Sequence, residues 1–318
     1  MKLDFSKIKE ITIGAVDIWQ EDGAVCFSKC TKKQIARWGV LRDDLFVNAN
    51  ATTGIKLDFS TNSSFVECVV FNALQFEVKV NGILKDAYFF EDTADHIIRV
   101  ELDLSHGENR VEIVFNSHHY AARVRSVEIQ NGCFANRTQF KRKMLFAGDS
   151  ITQGWRSKYN SISYGALVSD FFNAEAVIQG IGGGFFDADT IDHGGFEPDY
   201  IFVAFGTNDY TGGTDFSVVE KRMIAYFDRL KETYKTDKVF YISPIWRTDT
   251  HIERPMGGFY ECSELMKQTA KKCGAIVIDG EKMLAQREEF LADPVHPNDL
   301  GFYCYAFNLV REIKNYIF

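Results

Sequence analysis

The hydrophobic period of this chain changes once along its length, and that change limits the possible folds more than any single motif does. From about residue 10 to 130, apolar and polar residues alternate, as in Ile55-Lys-Leu-Asp-Phe59, Phe76-Glu-Val-Lys-Val80, Ile98-Arg-Val-Glu-Leu-Asp-Leu104 and Val111-Glu-Ile-Val-Phe115. A period of two puts every second side chain on one face, as in strands with one buried side. Asn81-Gly82 between two such runs predicts a tight hairpin, because both residues accept positive φ; His106-Gly107 is a weaker turn signal. Short strands with hardly a helical stretch among them predict an all-β sandwich over residues 1–135, although alternation alone does not reveal strand order.

A polar and basic stretch, Asn131 to Lys143, is expected to connect the halves. Beyond it, Met144–Ala147, Ala176–Ile178, Tyr200–Phe205, Val239–Ser243 and Ala275–Ile278 are short, nearly continuous apolar runs, as expected of parallel strands covered on both faces. Between them, residues 216, 219, 223, 227, 230 and 234 follow helical spacing, and so do Tyr303, Phe307, Val310, Ile313 and Ile317. Strands alternating with helices predict a doubly wound α/β unit over residues 143–318, with its chemistry in the loops beyond the carboxyl ends of the strands.

Composition narrows the function classes. The net charge of −8 leaves no general cationic field for phosphodiester backbones or anionic lipid, so neither nucleic acid nor a membrane is expected as a partner. MKLDFSKIKE at the amino terminus lacks the apolar run of a secretory signal. Seven cysteines without a Cys-x-x-Cys pair are expected to be reduced thiols in a cytoplasmic protein.

Four strand-end loops carry the candidate chemistry. Gly148-Asp-Ser-Ile151 follows the first parallel strand, and flanking glycines let Ser150 expose its hydroxyl and N–H; a plain turn with Asp149 or Ser150 as helix cap is the other reading. Gly180-Ile-Gly-Gly-Gly184 after the second strand offers N–H donors suited to an oxyanion, or a flexible turn. Gly206-Thr-Asn-Asp209 after the third places the neutral donor Asn208 at the same edge, or makes an Asx-turn. Asp293-Pro-Val-His-Pro297 supplies an imidazole, His296, three positions from a carboxylate that can orient it. Nucleophile, oxyanion donors, base and orienter in one open sheet form a conjunction that single turn motifs do not produce.

In these motifs and their order, the chain from about 144 to 318 resembles the SGNH (GDSL-type) hydrolase superfamily, with Ile151 in place of the usual leucine. The resemblance implies a flavodoxin-like parallel sheet, with Ser150 as nucleophile, His296 as base and Asp293 as its partner. It also implies an oxyanion hole from the Ser150 N–H, the Gly183 N–H and the Asn208 side chain, with Gly182 as substitute if the glycine loop is shifted by one. Asp149 and Asp209 are expected to hold loop geometry. No cofactor or metal is implied.

A β-sandwich ahead of such a unit is similar to the arrangement in some carbohydrate O-acetyl esterases, which implies a jelly-roll-like domain and an acetyl or other short acyl ester on a sugar or oligosaccharide. Trp155, Tyr210 and Trp246 are candidate stacking platforms, and Arg247, with Arg156, a candidate partner for hydroxyls or a carboxylate; rim packing between domains is their alternative. Acyl transfer, lipase or thioesterase activity, and metal-dependent phosphoester hydrolysis are the competing functions. The last is disfavoured because the adjacent His118-His119 would point to opposite faces of a strand.

Overall fold

The computed structural model describes residues 1–105, 107–212 and 215–317, so the turn signal at His106 lies outside the described residues. Eight strands of the first half, Ala24–Ser28, Lys56–Thr61, Phe65–Phe71, Gln75–Val80, Ile83–Phe89, His96–Glu101, Asn109–Val114 and Arg123–Ile129, divide between two antiparallel sheets. In one sheet the first, eighth, third and sixth of them are successive neighbours; in the other, the second, seventh, fourth and fifth. This repeated crossing between sheets is jelly-roll order. The alternating residues Phe59, Cys68, Val70, Phe76, Ile113 and Val124 meet between the sheets in one apolar core. Asn81 (φ +53°) and Gly82 (φ +81°) form the expected hairpin turn.

The second half builds five parallel strands, β1 (Arg142–Gly148), β2 (Ala174–Gly180), β3 (Tyr200–Ala204), β4 (Val239–Ile242) and β5 (Ile276–Ile278), ordered β2-β1-β3-β4-β5. Both faces are covered. The helices Tyr164–Phe171 and Asp299–Ile317 pack on one, the helices Phe216–Thr233 and Phe259–Lys272 on the other. This is the flavodoxin-like doubly wound sheet, preceded by a β-sandwich. The last helix forms where expected, but its buried face is Phe302, Tyr305, Ala306, Leu309 and Ile313, while Tyr303 and Phe307 are 52% and 64% exposed. Apolar residues surround most of this helix, so spacing alone does not choose the face.

The scarcity of helix expected in the first half requires correction. Helices occupy Phe5–Ile11, Lys32–Leu41 and Asp43–Asn50. Thr31 and Gln34 close a capping box at the start of the second, with Thr31 Oγ1 accepting from the Gln34 N–H and Gln34 Oε1 from the Thr31 N–H. Trp38 of the second helix, with Leu45 and Ala49 four positions apart on the third, enters the core of the α/β layer together with Leu145, Val177 and Ile181. A segment early in the sequence therefore covers a sheet that forms from the second half.

Polar contacts join the halves elsewhere. Asn136–Arg137, within the expected connection, pairs as a short strand with Lys56–Thr61, and Arg137 binds Glu175 at 2.7 Å. Lys79 of the sandwich meets Asp170 of the helix Tyr164–Phe171 at 2.6 Å. The buried Glu77 carboxylate accepts from the Asn160 and Ser161 N–H groups. Among the described residues, no helix is long and apolar enough to cross a membrane.

Candidate active site

Ser150 begins a four-residue helix, Ser150–Gln153, at the carboxyl end of β1. The turn requires glycine at 148: a Cβ there would lie 2.1 Å from Thr152 Oγ1 and 2.8 Å from Ala204 O. Asp149 caps the helix by accepting from the Ile151 N–H at 2.9 Å. Burial pushes the Asp149 carboxyl up to about 7, with the nearby Asp209 adding to the shift and the Ile151 N–H opposing it. Asp209, also buried, is raised to about 7 by desolvation. Both aspartates are buried.

The Asp293–His296 loop approaches Ser150 from the far end of the chain. It is held by the Ala292 N–H bonded to His296 O at 2.9 Å and by the Thr248 N–H bonded to Pro294 O at 3.0 Å. Asp293 Oδ1 accepts from the N–H groups of Val295 (3.0 Å) and His296 (2.9 Å), an Asx-turn that Pro294 helps to pre-form. The same carboxylate lies 2.9 Å from His296 Nδ1, and His296 Nε2 lies 2.8 Å from Ser150 Oγ. A carboxylate on Nδ1 selects the tautomer that carries its proton there and leaves Nε2 to accept from the serine hydroxyl.

The electrostatics of the pair are opposed. Burial works to raise Asp293, but the Val295 and His296 N–H groups and the imidazole together hold it at about 2. Burial lowers His296, Asp293 counteracts it, and Arg156 and Arg247 add to the lowering. Arg156, in left-handed backbone at φ +73°, donates from Nε to Asp293 Oδ2 at 3.0 Å. It binds the carboxylate partner of the imidazole, a role that sequence spacing did not suggest.

Register fixes the placement of the expected oxyanion donors. Gly148 of β1 pairs with Gly180 of β2 and with Ala204 of β3, so the glycine loop and the Phe205–Asp209 turn flank the Ser150 turn. Asn208 is half-buried and uses one amide proton on Gly184 O at 2.8 Å, leaving a second donor. The Gly182 N–H is engaged by Gln153 Oε1 at 2.7 Å, whereas the Gly183 N–H has no protein acceptor among the described residues. The substitute donor Gly182 is thereby occupied, and Gly183 is available.

Of the expected substrate contacts, Trp155 and Trp246 are partly exposed. Trp155 is edge-on to His118 and His119, with ring centroids 5.1 and 5.0 Å away, and lies 6.4 Å from His296. The strand expected at His118-His119 requires correction: the pair lies in a loop beyond Asn109–Val114, and both rings turn to Trp155 instead of to opposite faces. Tyr210 and Arg247 require correction. Tyr210 is 1% exposed, donates to Ile252 O at 2.6 Å and packs edge-on against Phe259, so no face is open to a sugar ring. Arg247 is 2% exposed and committed to Asp249, Thr207 O and Thr211 Oγ1, which makes it a strut between loops. An arginine beside an acidic residue two positions on was the available sign of an internal pair.

Residues 146–302 match the family described as GDSL-like lipase/acylhydrolase. Comparison with curated proteins finds no significant match. Among solved structures, the chain is similar to the salicylyl-acyltransferase SsfX3 from a tetracycline biosynthetic pathway, with TM-score 0.80 and 17% identity over 96% of this chain and 94% of that one. It is also similar to a family two carbohydrate esterase from Clostridium thermocellum in complex with cellohexaose, at TM-score 0.70 and 15% identity over 84% and 94% of the two chains. An acetyl xylan esterase from the rumen bacterium Butyrivibrio proteoclasticus gives TM-score 0.65 and 15% identity over 83% and 90%. At such identities the likeness is one of fold.

Proposed function

We propose, for an ester hydrolase whose residues 146–302 belong to the GDSL-like lipase/acylhydrolase family, that it is a serine esterase removing acetyl or other short acyl groups from a carbohydrate through an acyl-enzyme. The observation that carries this reading is the continuous line from Ser150 Oγ through the His296 ring to Asp293, with bonds of 2.8 and 2.9 Å. Ser150 is the nucleophile, His296 the base and Asp293 its orienter; Gly183, Asn208 and the Ser150 N–H receive the oxyanion. Division into a sandwich unit, 1–135, and a hydrolase unit, 143–318, belongs to the same reading. A cytoplasmic setting is supported by the seven cysteines, which are all free.

As Ser150 Oγ forms a bond to the ester carbonyl carbon, its proton passes to His296 Nε2. The carbonyl π pair moves onto oxygen and is held by the three donors. When the carbonyl re-forms, the C–O bond to the alcohol breaks and the alkoxy oxygen takes the proton from His296. Water then repeats the sequence on the acyl-serine, losing its proton to His296, and serine leaves with that proton. Trp155, adjacent to His296 and flanked by two histidines, and the partly exposed Trp246 are the platforms that remain for a sugar ring.

The base works only while His296 is neutral, and burial lowers its proton affinity. The acid limb of kcat/KM should therefore have its midpoint below the ordinary imidazole value of 6.5. Asp293→Asn, which removes the group that raises His296, should move the limb lower still while reducing the rate. A pH–rate profile whose acid limb centres at 7 or above contradicts this assignment of the base.

Substrate class is tested with acetyl and octanoyl aryl esters, followed by mass spectrometry of products from acetylated saccharides. Preference for acetyl and release of acetate from a saccharide support the reading; a strong octanoyl preference points to a lipase or thioesterase. Turnover that survives chelator and is abolished by a serine-directed fluorophosphonate separates it from a metal-dependent phosphoesterase. Transfer of the acyl group to an added alcohol in preference to water identifies an acyltransferase, which uses the same acyl-enzyme.

A further inference from the structure

The peptide that presents the Gly183 N–H is held by a residue from the other half of the chain. The Gly182 carbonyl accepts from Asn48 Nδ2 at 3.1 Å, across 134 positions of sequence, while the Gly182 N–H donates to Gln153 Oε1 at 2.7 Å. A trans peptide keeps its carbonyl and the following N–H in one plane, pointing in opposite directions. Fixing Gly182 O therefore fixes where the Gly183 N–H points. The loop is closed tightly around these two amides: a Cβ on Gly182 would lie 2.8 Å from Asn48 Nδ2 and 2.9 Å from Gln153 Oε1.

Directions in this network follow from the backbone outward. The Gly182 N–H can only donate, so Gln153 must turn its oxygen toward it. The Gln153 amide nitrogen then donates to Ser117 O at 2.9 Å and to Asn48 Oδ1 at 3.3 Å. With its oxygen occupied in that way, Asn48 presents its NH₂ to Gly182 O. The helix Asp43–Asn50 that carries Asn48 is itself braced by Lys29, whose Nζ meets Asn48 O at 2.8 Å, Thr53 Oγ1 at 2.7 Å and Gly180 O at 3.0 Å. Thr53 spends its own proton on Ser117 O at 2.6 Å, so all three Lys29 partners accept, matching the three donors of an ammonium. Lys29, Asn48 and Gln153 are all buried.

We propose that Asn48 is a positioning residue that aims the Gly183 N–H into the oxyanion hole, and that Lys29 braces it by tying its helix to the end of β2. This rests on the esterase reading, in which the Gly183 N–H receives the oxyanion. The sandwich half is then part of the catalytic apparatus of the hydrolase half. Neither residue touches the substrate. Their effect is exerted where charge develops in the transition state, so it should appear in kcat and leave KM almost unchanged.

The test uses the full chain with Asn48→Asp and Asn48→Ala, assayed on an acetyl aryl ester together with a boronic acid that mimics the tetrahedral adduct. Asn48→Asp keeps the size and the acceptor for Gln153 but cannot donate to Gly182 O when ionised. Both variants should lose about tenfold to a hundredfold in kcat, weaken boronate binding by a similar factor and hold KM within about twofold, less than the loss of a whole donor. Lys29→Met should show the same split with a smaller loss. Should Asn48→Ala fail to fold, Asn48→Asp decides: wild-type kcat and boronate affinity in that variant overturn the inference. Equal weakening of ester and boronate binding also overturns it, since that is the pattern of general loosening. Wild type and Ser150→Ala assayed alongside report on the esterase reading itself. A wild type without Ser150-dependent turnover overturns both proposals, whereas a normal wild type with an unaffected Asn48→Asp overturns this one alone.

Discussion

Ser150→Ala should lower the turnover of an acetyl ester by about 10⁴ to 10⁶, with the fold intact. The side chain is 6% exposed and His296 Nε2 is the hydrogen-bond partner of its hydroxyl, so removing one oxygen leaves no buried charge and little cavity. What disappears is the atom that accepts the acyl group, and with it the two-stage path. Residual hydrolysis would come from binding and the oxyanion donors acting on water. His296→Ala should cost as much, because a hydroxyl without its base is a poor nucleophile at neutral pH. The double variant should be no slower than either single one, since the pair acts as a unit. The measurement is initial rate against thermal midpoint for all three proteins. Retention of more than about one per cent of turnover by Ser150→Ala at an unchanged midpoint would remove Ser150 from the reaction.

The second large effect is expected at Asn208. Asn208→Ala should raise the barrier by about 3–4 kcal/mol, a loss of roughly two to three orders of magnitude in kcat, with KM little altered. One amide proton already holds Gly184 O at 2.8 Å, and in the proposed hole the other is the donor for the charge that develops on the carbonyl oxygen. Truncation removes that second donor and also loosens the neighbouring glycine loop, so two effects act in the same direction. Stability should fall by only about 1 kcal/mol, the value of one ordinary hydrogen bond. Steady-state kinetics and a boronate titration on the same preparation check the result; near-native turnover would falsify the assignment of the hole.

Much of the second half was legible because each of its strands is a nearly continuous apolar run bounded by glycine or polar residues. β1 to β5 form where those runs lie, and the turns beyond β1, β2 and β3 bring the Ser150, Gly183 and Asn208 loops to one sheet edge. The Asp293–His296 geometry is equally local, since an Asx-turn places carboxylate and imidazole together within four residues. The helices Lys32–Leu41 and Asp43–Asn50 were less visible. They sit between strands of a β-rich half, and their apolar faces make sense only against a sheet that forms a hundred residues later.

Sequence by itself determined the sandwich followed by the doubly wound sheet, the identity of the residues at its carboxyl edge and the Asp293–His296 pair, because periodicity and short-range turns act over a few neighbouring residues. Tertiary structure alone decided the rest. It closed the 2.8 Å contact between Ser150 and His296, buried Tyr210 and Arg247 away from the cleft, turned Tyr303 and Phe307 to solvent, and brought Asn48 and Lys29 against the glycine loop. The reason is physical: burial and long-range hydrogen bonding are properties of packed surfaces, and which surfaces meet is chosen only when the whole chain has buried its apolar area.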